Sequence, residues 1–79
     1  MNEMNTMNPL KKLAKEAVWY QDELDKETLR GWERESVKEQ YDKHFMKVIK
    51  GGYSVDLFIQ YMEEYRNVSV ADYKDWINS

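Results

Sequence analysis

Two stretches late in the chain, Tyr53-Ser54-Val55-Asp56-Leu57-Phe58-Ile59-Gln60-Tyr61-Met62 and Val68-Ser69-Val70-Ala71-Asp72-Tyr73-Lys74-Asp75-Trp76-Ile77, follow one pattern. Each reads apolar, Ser-Val, two residues, aromatic, two residues, aromatic, apolar. Serine is a strong helix N-cap because its hydroxyl accepts one of the first-turn N–H groups that has no partner inside the helix. The aromatic and apolar positions then recur at the three- and four-residue spacing of one helix face. Asp56 and Asp72 fall in the first turn, where the helix dipole favours negative charge. The pattern is a helix start written twice, and it sets the expectation of an all-α fold.

Working back from these stretches, Gly51-Gly52 ends the helix that precedes them, because glycine takes a left-handed C-cap without steric penalty. That helix carries Val37, Tyr41, His44, Phe45 and Val48 on one face, with Glu35, Glu39, Lys43 and Lys47 on another. Further back, Asn8-Pro9 reads as cap and first helical residue. Leu10, Leu13, Ala14, Ala17, Tyr20 and Leu24 follow as an amphipathic stripe. Asp25 reads as a new cap, with Leu24 and Leu29 as a hydrophobic staple, although an uninterrupted helix through this point competes and Gly31 weakens either reading. No segment alternates with period two and no hairpin dipeptide occurs. The expected architecture is a small bundle of four helices near residues 9–24, 26–50, 54–66 and 69–78, with short turns, the last two helices forming a helical hairpin. Residues 1–8 are expected to be a flexible N-terminal arm and 9–79 a single helical domain. The expected core is Leu13, Ala17, Tyr41, Phe45, Leu57, Phe58, Tyr61, Tyr73 and Ile77.

Composition narrows the function classes. A chain of 79 residues buries roughly 60–65% of its unfolded surface, so its core is small. Apolar residues make up 42%, enough for that core. There is no cysteine, which removes thiolate ligands and disulfides and fits a reducing, cytoplasmic location. No apolar run reaches the ~20 residues of a membrane span, and the first residues lack the basic and apolar regions of a signal peptide. A net charge of −3 argues against nucleic acid as the main partner.

Chemistry-bearing constellations are scarce. With one histidine and no cysteine, a catalytic triad, a structural zinc site or a haem site has too few ligands, and no cofactor or metal is expected. His44 reads as a partly buried structural histidine, with pH sensing as the alternative. The carboxylates interleave with Lys and Arg and read as solvated faces rather than a hydrolytic pair. Gly51-Gly52 is no phosphate loop, since no strand precedes it and no Gly-Lys-Ser/Thr follows. A helix-turn-helix across Asn67-Val68-Ser69 would put Asp72 and Asp75 against DNA, a poor recognition helix.

The residues left over are aromatic and aliphatic side chains off their stripes. At 100° per residue, Trp19 points about 180° from the Leu10–Leu24 stripe, on a side shared with Lys12, Lys15, Glu16 and Glu23. Trp32 and Ile59 are also off-stripe. A helix buried on two sides would account for them; a recognition surface is the other reading, because tryptophan is enriched in binding hot spots. The candidate protein-binding residues are therefore Trp19, Trp32, Ile59, Lys12 and Glu23. The expected function is a small non-enzymatic module, an inhibitor or adaptor for a protein partner, of the kind common among phage and mobile-element products that act on a host enzyme. A second copy of the chain, as a homodimer, belongs to the same reading. The alternative is a small nucleic-acid-related accessory protein, either a weak DNA binder or an acidic occupant of a DNA-binding cleft.

Overall fold

The computed structural model describes residues 7–79. It contains four helices: α1 (Pro9–Leu24), α2 (Gly31–Lys50), α3 (Val55–Asn67) and α4 (Val70–Ile77). Among the described residues there is no strand. Three of the sequence caps are present. Asn8 Oδ1 accepts from the N–H groups of Leu10 and Lys11 at 3.0 and 3.1 Å. The Ser54 hydroxyl accepts from Leu57 and the Ser69 hydroxyl from Asp72, each at 3.2 Å. The doubled pattern is thus a pair of working N-caps. The expected arm over residues 1–8 falls mostly outside the described residues; its last residue, Asn8, also donates its N–H to the Ile77 carbonyl at 2.8 Å.

The second helix begins later than expected. Asp25 is the C-cap of α1, with helical backbone angles, and does not start α2. Six residues, Asp25–Arg30, separate the two helices. Arg30 is extended at φ −77° and ψ 162°, and its N–H donates to Glu33 Oε1 at 2.9 Å. An arginine side chain has no acceptor, so only the glutamate half of a capping box forms here. The turn is tied from α2 by the Arg34 guanidinium, which donates to the Leu24 carbonyl and, at 3.1 Å, to the Lys26 carbonyl. Gly31 therefore occupies the first helical position, where glycine interrupts no helix interior. At the other end of α2, Gly52 does what the sequence expects of it, with a left-handed φ of +76°.

α1 is the hub. α2 and α3 each pack along it, while α2 and α3 touch one another only slightly. Leu10, Ala14, Ala17, Val18, Val48, Phe58, Met62 and Ile77 are buried. Of the expected core, Ala17, Phe58 and Ile77 are fully interior, whereas Leu13, Tyr41, Phe45, Leu57 and Tyr61 pack around them half-buried. The shift has a geometric cause. A helix flanked on two sides buries a wider arc than one stripe, so its small residues, Ala14 and Ala17, sit deepest and allow close approach. Tyr41 lies at the margin, where its hydroxyl accepts from Gln21 at 3.2 Å.

Two expected outcomes follow from this packing. Phe58→Ala should cost about 3–5 kcal/mol, read from chemical denaturation. Gly31→Pro should be neutral or stabilise by about 0.4–1 kcal/mol, because Arg30 already has the extended conformation proline requires before it and no atom crowds a Cβ at Gly31. A loss near ~3 kcal/mol in the same measurement would place Gly31 inside a continuous helix.

Candidate functional site

Side chains from three helices converge on one side of α1. Lys11, although charged, is buried. Its Nζ donates to the Trp76 carbonyl at 2.9 Å and to Ser79 Oγ at 2.8 Å. It also lies 5.0 Å from the Tyr61 ring centre and 5.2 Å from that of Trp76. Burying an ammonium is costly unless it is paired. Here the last-turn carbonyl of α4, which also accepts from the Ser79 N–H and hydroxyl, and two aromatic faces supply that pairing. One turn on, Lys15 Nζ donates to Tyr73 Oη at 2.9 Å and lies 5.0 Å from the Trp19 ring. Trp19 Nε1 in turn donates to Tyr65 Oη at 3.0 Å.

These contacts help hold α4, whose attachment to α1 and α3 runs largely through long and aromatic side chains. Tyr61, Tyr65, Tyr73 and Trp76 form an aromatic layer across α3 and α4, with ring centres 5.8–6.4 Å apart. Trp76 Nε1 donates to Glu64 Oε1 at 2.9 Å, and Gln60 donates to the other carboxylate oxygen at 2.9 Å. Those two hydrogen bonds, the Trp76 one foremost, hold the Glu64 carboxyl below its ordinary value of 4.5; the nearby Lys11 charge acts in the same direction and desolvation opposes it.

Where the aromatic layer props α4 away from α1, a groove of about 550 Å³ opens beside the α3–α4 link. Trp19, Tyr65, Val68, Val70 and Tyr73 line it, with Lys15, Asp22 and Arg66 at its edges. Trp19 is 49% exposed and Val70 97% exposed. Spacing alone puts Val70 on the apolar face of α4 with Tyr73 and Ile77. It is the first residue of the helix, at a level where the face it shares with Tyr73 looks into the groove and no helix covers it. Arg66 bridges to Asp22 at 3.0 Å and to Gln21 at 2.8 Å, fixing one wall.

The five residues singled out from the sequence do not form one site. Lys12, Trp19 and Glu23 lie within about 40° of one another around α1 at 100° per residue. Trp19 forms part of the groove. Lys12 is exposed, and Glu23 pairs with Lys26 at 2.6 Å in the following turn. Trp32 is 69% exposed near the start of α2, and Ile59 is 54% exposed on α3, neither in the groove. Tyr65, Val68 and Arg66 were not singled out; their position at the end of α3 becomes significant only when α4 is placed beside it.

His44 is buried against α1. Its Nε2 is 2.8 Å from Glu16 Oε1 and its Nδ1 is 3.0 Å from the Gln40 carbonyl, with Tyr20 edge-on at 5.1 Å. Both ring nitrogens face internal partners, which hold the ring in place between α2 and α1. Among the described residues no group of three or more His, Asp or Glu side chains is placed to hold a metal ion, and no helix is long and apolar enough to cross a membrane. Comparison with protein-family models, with curated proteins and with solved structures finds no match to this chain.

The Glu64 contacts carry a pH dependence of defined sign. A carboxyl whose folded pKa lies below its unfolded value stabilises the fold fully above that unfolded value, near 4.5, and loses this as pH falls through the folded pKa. Glu64→Gln should therefore differ from wild type most at neutral pH, with the two melting points converging as pH falls below 4.5. Melting curves across pH 2–7 check this; a gap that widens on acidification would reverse the assignment.

Proposed function

We propose that this chain is a small non-catalytic binding module, an inhibitor or adaptor, that grips a protein partner through the groove between α1 and the α3–α4 link. The observation that carries this reading is the pairing of a half-exposed tryptophan with a fully exposed valine across one concave surface. Indole surface held in place by Lys15 and Tyr65 is pre-ordered, so little side-chain entropy is lost when a partner covers it. Val70 has no capping role at the first helical position, and its exposure costs free energy that a partner would recover. The outward side of α4 carries Asp72 and Asp75, which suits a protein partner better than a phosphate backbone.

Two variants test the reading. Trp19→Ala should weaken association about 30-fold or more, the loss typical of a hot-spot aromatic worth over ~2 kcal/mol. Val70→Asp should also weaken it while leaving the melting temperature unchanged, because the side chain is solvent-exposed and acidic residues are favoured in a first helical turn. Sedimentation of the purified chain and partner capture from a bacterial lysate provide the readouts. If both variants associate as wild type does, the groove is not the contact surface.

A further inference from the structure

The groove beside Trp19 carries more hydrogen-bond donors than acceptors. Tyr65 Oη accepts from Trp19 Nε1 and Tyr73 Oη accepts from Lys15 Nζ, which leaves both phenolic O–H groups to donate elsewhere. Among the described residues neither hydroxyl donates to a protein acceptor. Lys15 uses one of its N–H groups on Tyr73, and Arg66 uses one on Asp22 and one on Gln21, so both retain further donors. Asp22 is the carboxylate that lines the groove, and it is engaged by Arg66. The lining therefore has apolar surface at Trp19 and, at its exposed rim, Val70; it also has the Lys15 cation, Arg66 paired to Asp22, and two hydroxyl hydrogens without acceptors.

We infer that the groove receives an acidic peptide segment of a partner protein. In this arrangement an apolar side chain rests on Trp19 and Val70, and a neighbouring carboxylate accepts from Lys15 and the Tyr65 and Tyr73 hydroxyls. Charge-assisted bonds of this type are stronger than neutral ones. A basic segment would meet Lys15 and Arg66 with no carboxylate that is not already paired. The inference rests on the groove being a contact surface, as proposed above, and adds the chemistry of what it contacts.

The test is an NMR titration of the full-length, isotope-labelled chain with three capped tripeptides: acetyl-Asp-Leu-Glu-amide, acetyl-Asn-Leu-Gln-amide and acetyl-Lys-Leu-Lys-amide. The Trp19 indole N–H and the Val70 amide report on the groove. The acidic peptide should shift both signals and bind roughly two- to fivefold more tightly than the neutral one, the range for a partly exposed ion pair. Lys15→Gln should remove most of that preference. Equal binding of all three peptides, preference for the basic one, or shifts confined to other residues would overturn the inference. A short single-stranded DNA that shifts the same signals more strongly than the acidic peptide would overturn it too. The two readings fail separately: a neutral peptide that binds the groove as well as the acidic one leaves the contact surface standing and removes the charge assignment. Wild-type association by Trp19→Ala and Val70→Asp removes the surface itself.

Discussion

The Lys11 ammonium is the group on which the position of α4 depends. α4 is eight residues long, and an isolated helix of that length is not stable in water. Its backbone approaches the other helices at few points, and Ile77 is its one buried residue. What fixes it is a charge on α1 seated under its last turn, assisted by the Asn8 N–H on the Ile77 carbonyl and by Lys15 on Tyr73. A lysine in that place brings its own requirement, since an unpaired ammonium there would be strongly unfavourable. The Trp76 carbonyl, the Ser79 hydroxyl and two aromatic faces meet that requirement together. Remove α4 and the lysine regains water; remove the lysine and α4 loses its anchor.

The groove is a consequence of the same arrangement. Small residues bring α1 close to its neighbours where Ala14 and Ala17 lie. Tyrosine and tryptophan hold α4 at a distance where Tyr65, Tyr73 and Trp76 lie. A helix propped on large rings at one end of a tightly packed pair leaves a concave space at the other, and Trp19 and Val70 face into it. The surplus of aromatic residues thus serves two ends: most of the rings build the layer under α4, and Trp19 remains half in and half out of it. Trp19 donates to Tyr65 and Lys15 donates to Tyr73, which leaves the two phenolic O–H groups to donate outward.

Much of the fold was legible because helix ends are local. Asn8, Ser54, Ser69 and the Gly51-Gly52 stop act through the nearest turn of backbone, and each does what its residue type requires. The break between α1 and α2 was less legible. Its determinant is Arg34 reaching back to two carbonyls, a tertiary contact that no propensity encodes. The site was legible only in outline. Trp19 stood out by its angle on the helix, but Lys11 lies in a basic run with Lys12 and Lys15, and nothing in that run marks it for burial. A long aliphatic stem lets lysine serve either at the surface or beneath an aromatic layer, and only the partner's position decides. Val70 is the converse case: periodicity tells which face a residue shares, and not whether anything lies opposite that face.

α4 is docked locally, through Lys11. Hydrogen exchange resolved by segment, comparing wild type with Lys11→Met, measures this most directly. Methionine keeps most of the aliphatic stem and removes the charge and its hydrogen bonds. The predicted result is a faster exchange of residues 70–79 by about 10- to 100-fold, the equivalent of the ~1.5–3 kcal/mol typical of a hydrogen bond to a charged group. The amides of α1, α2 and the first part of α3 should stay protected. Unchanged exchange in α4, or an equal loss of protection across all four helices, would contradict it.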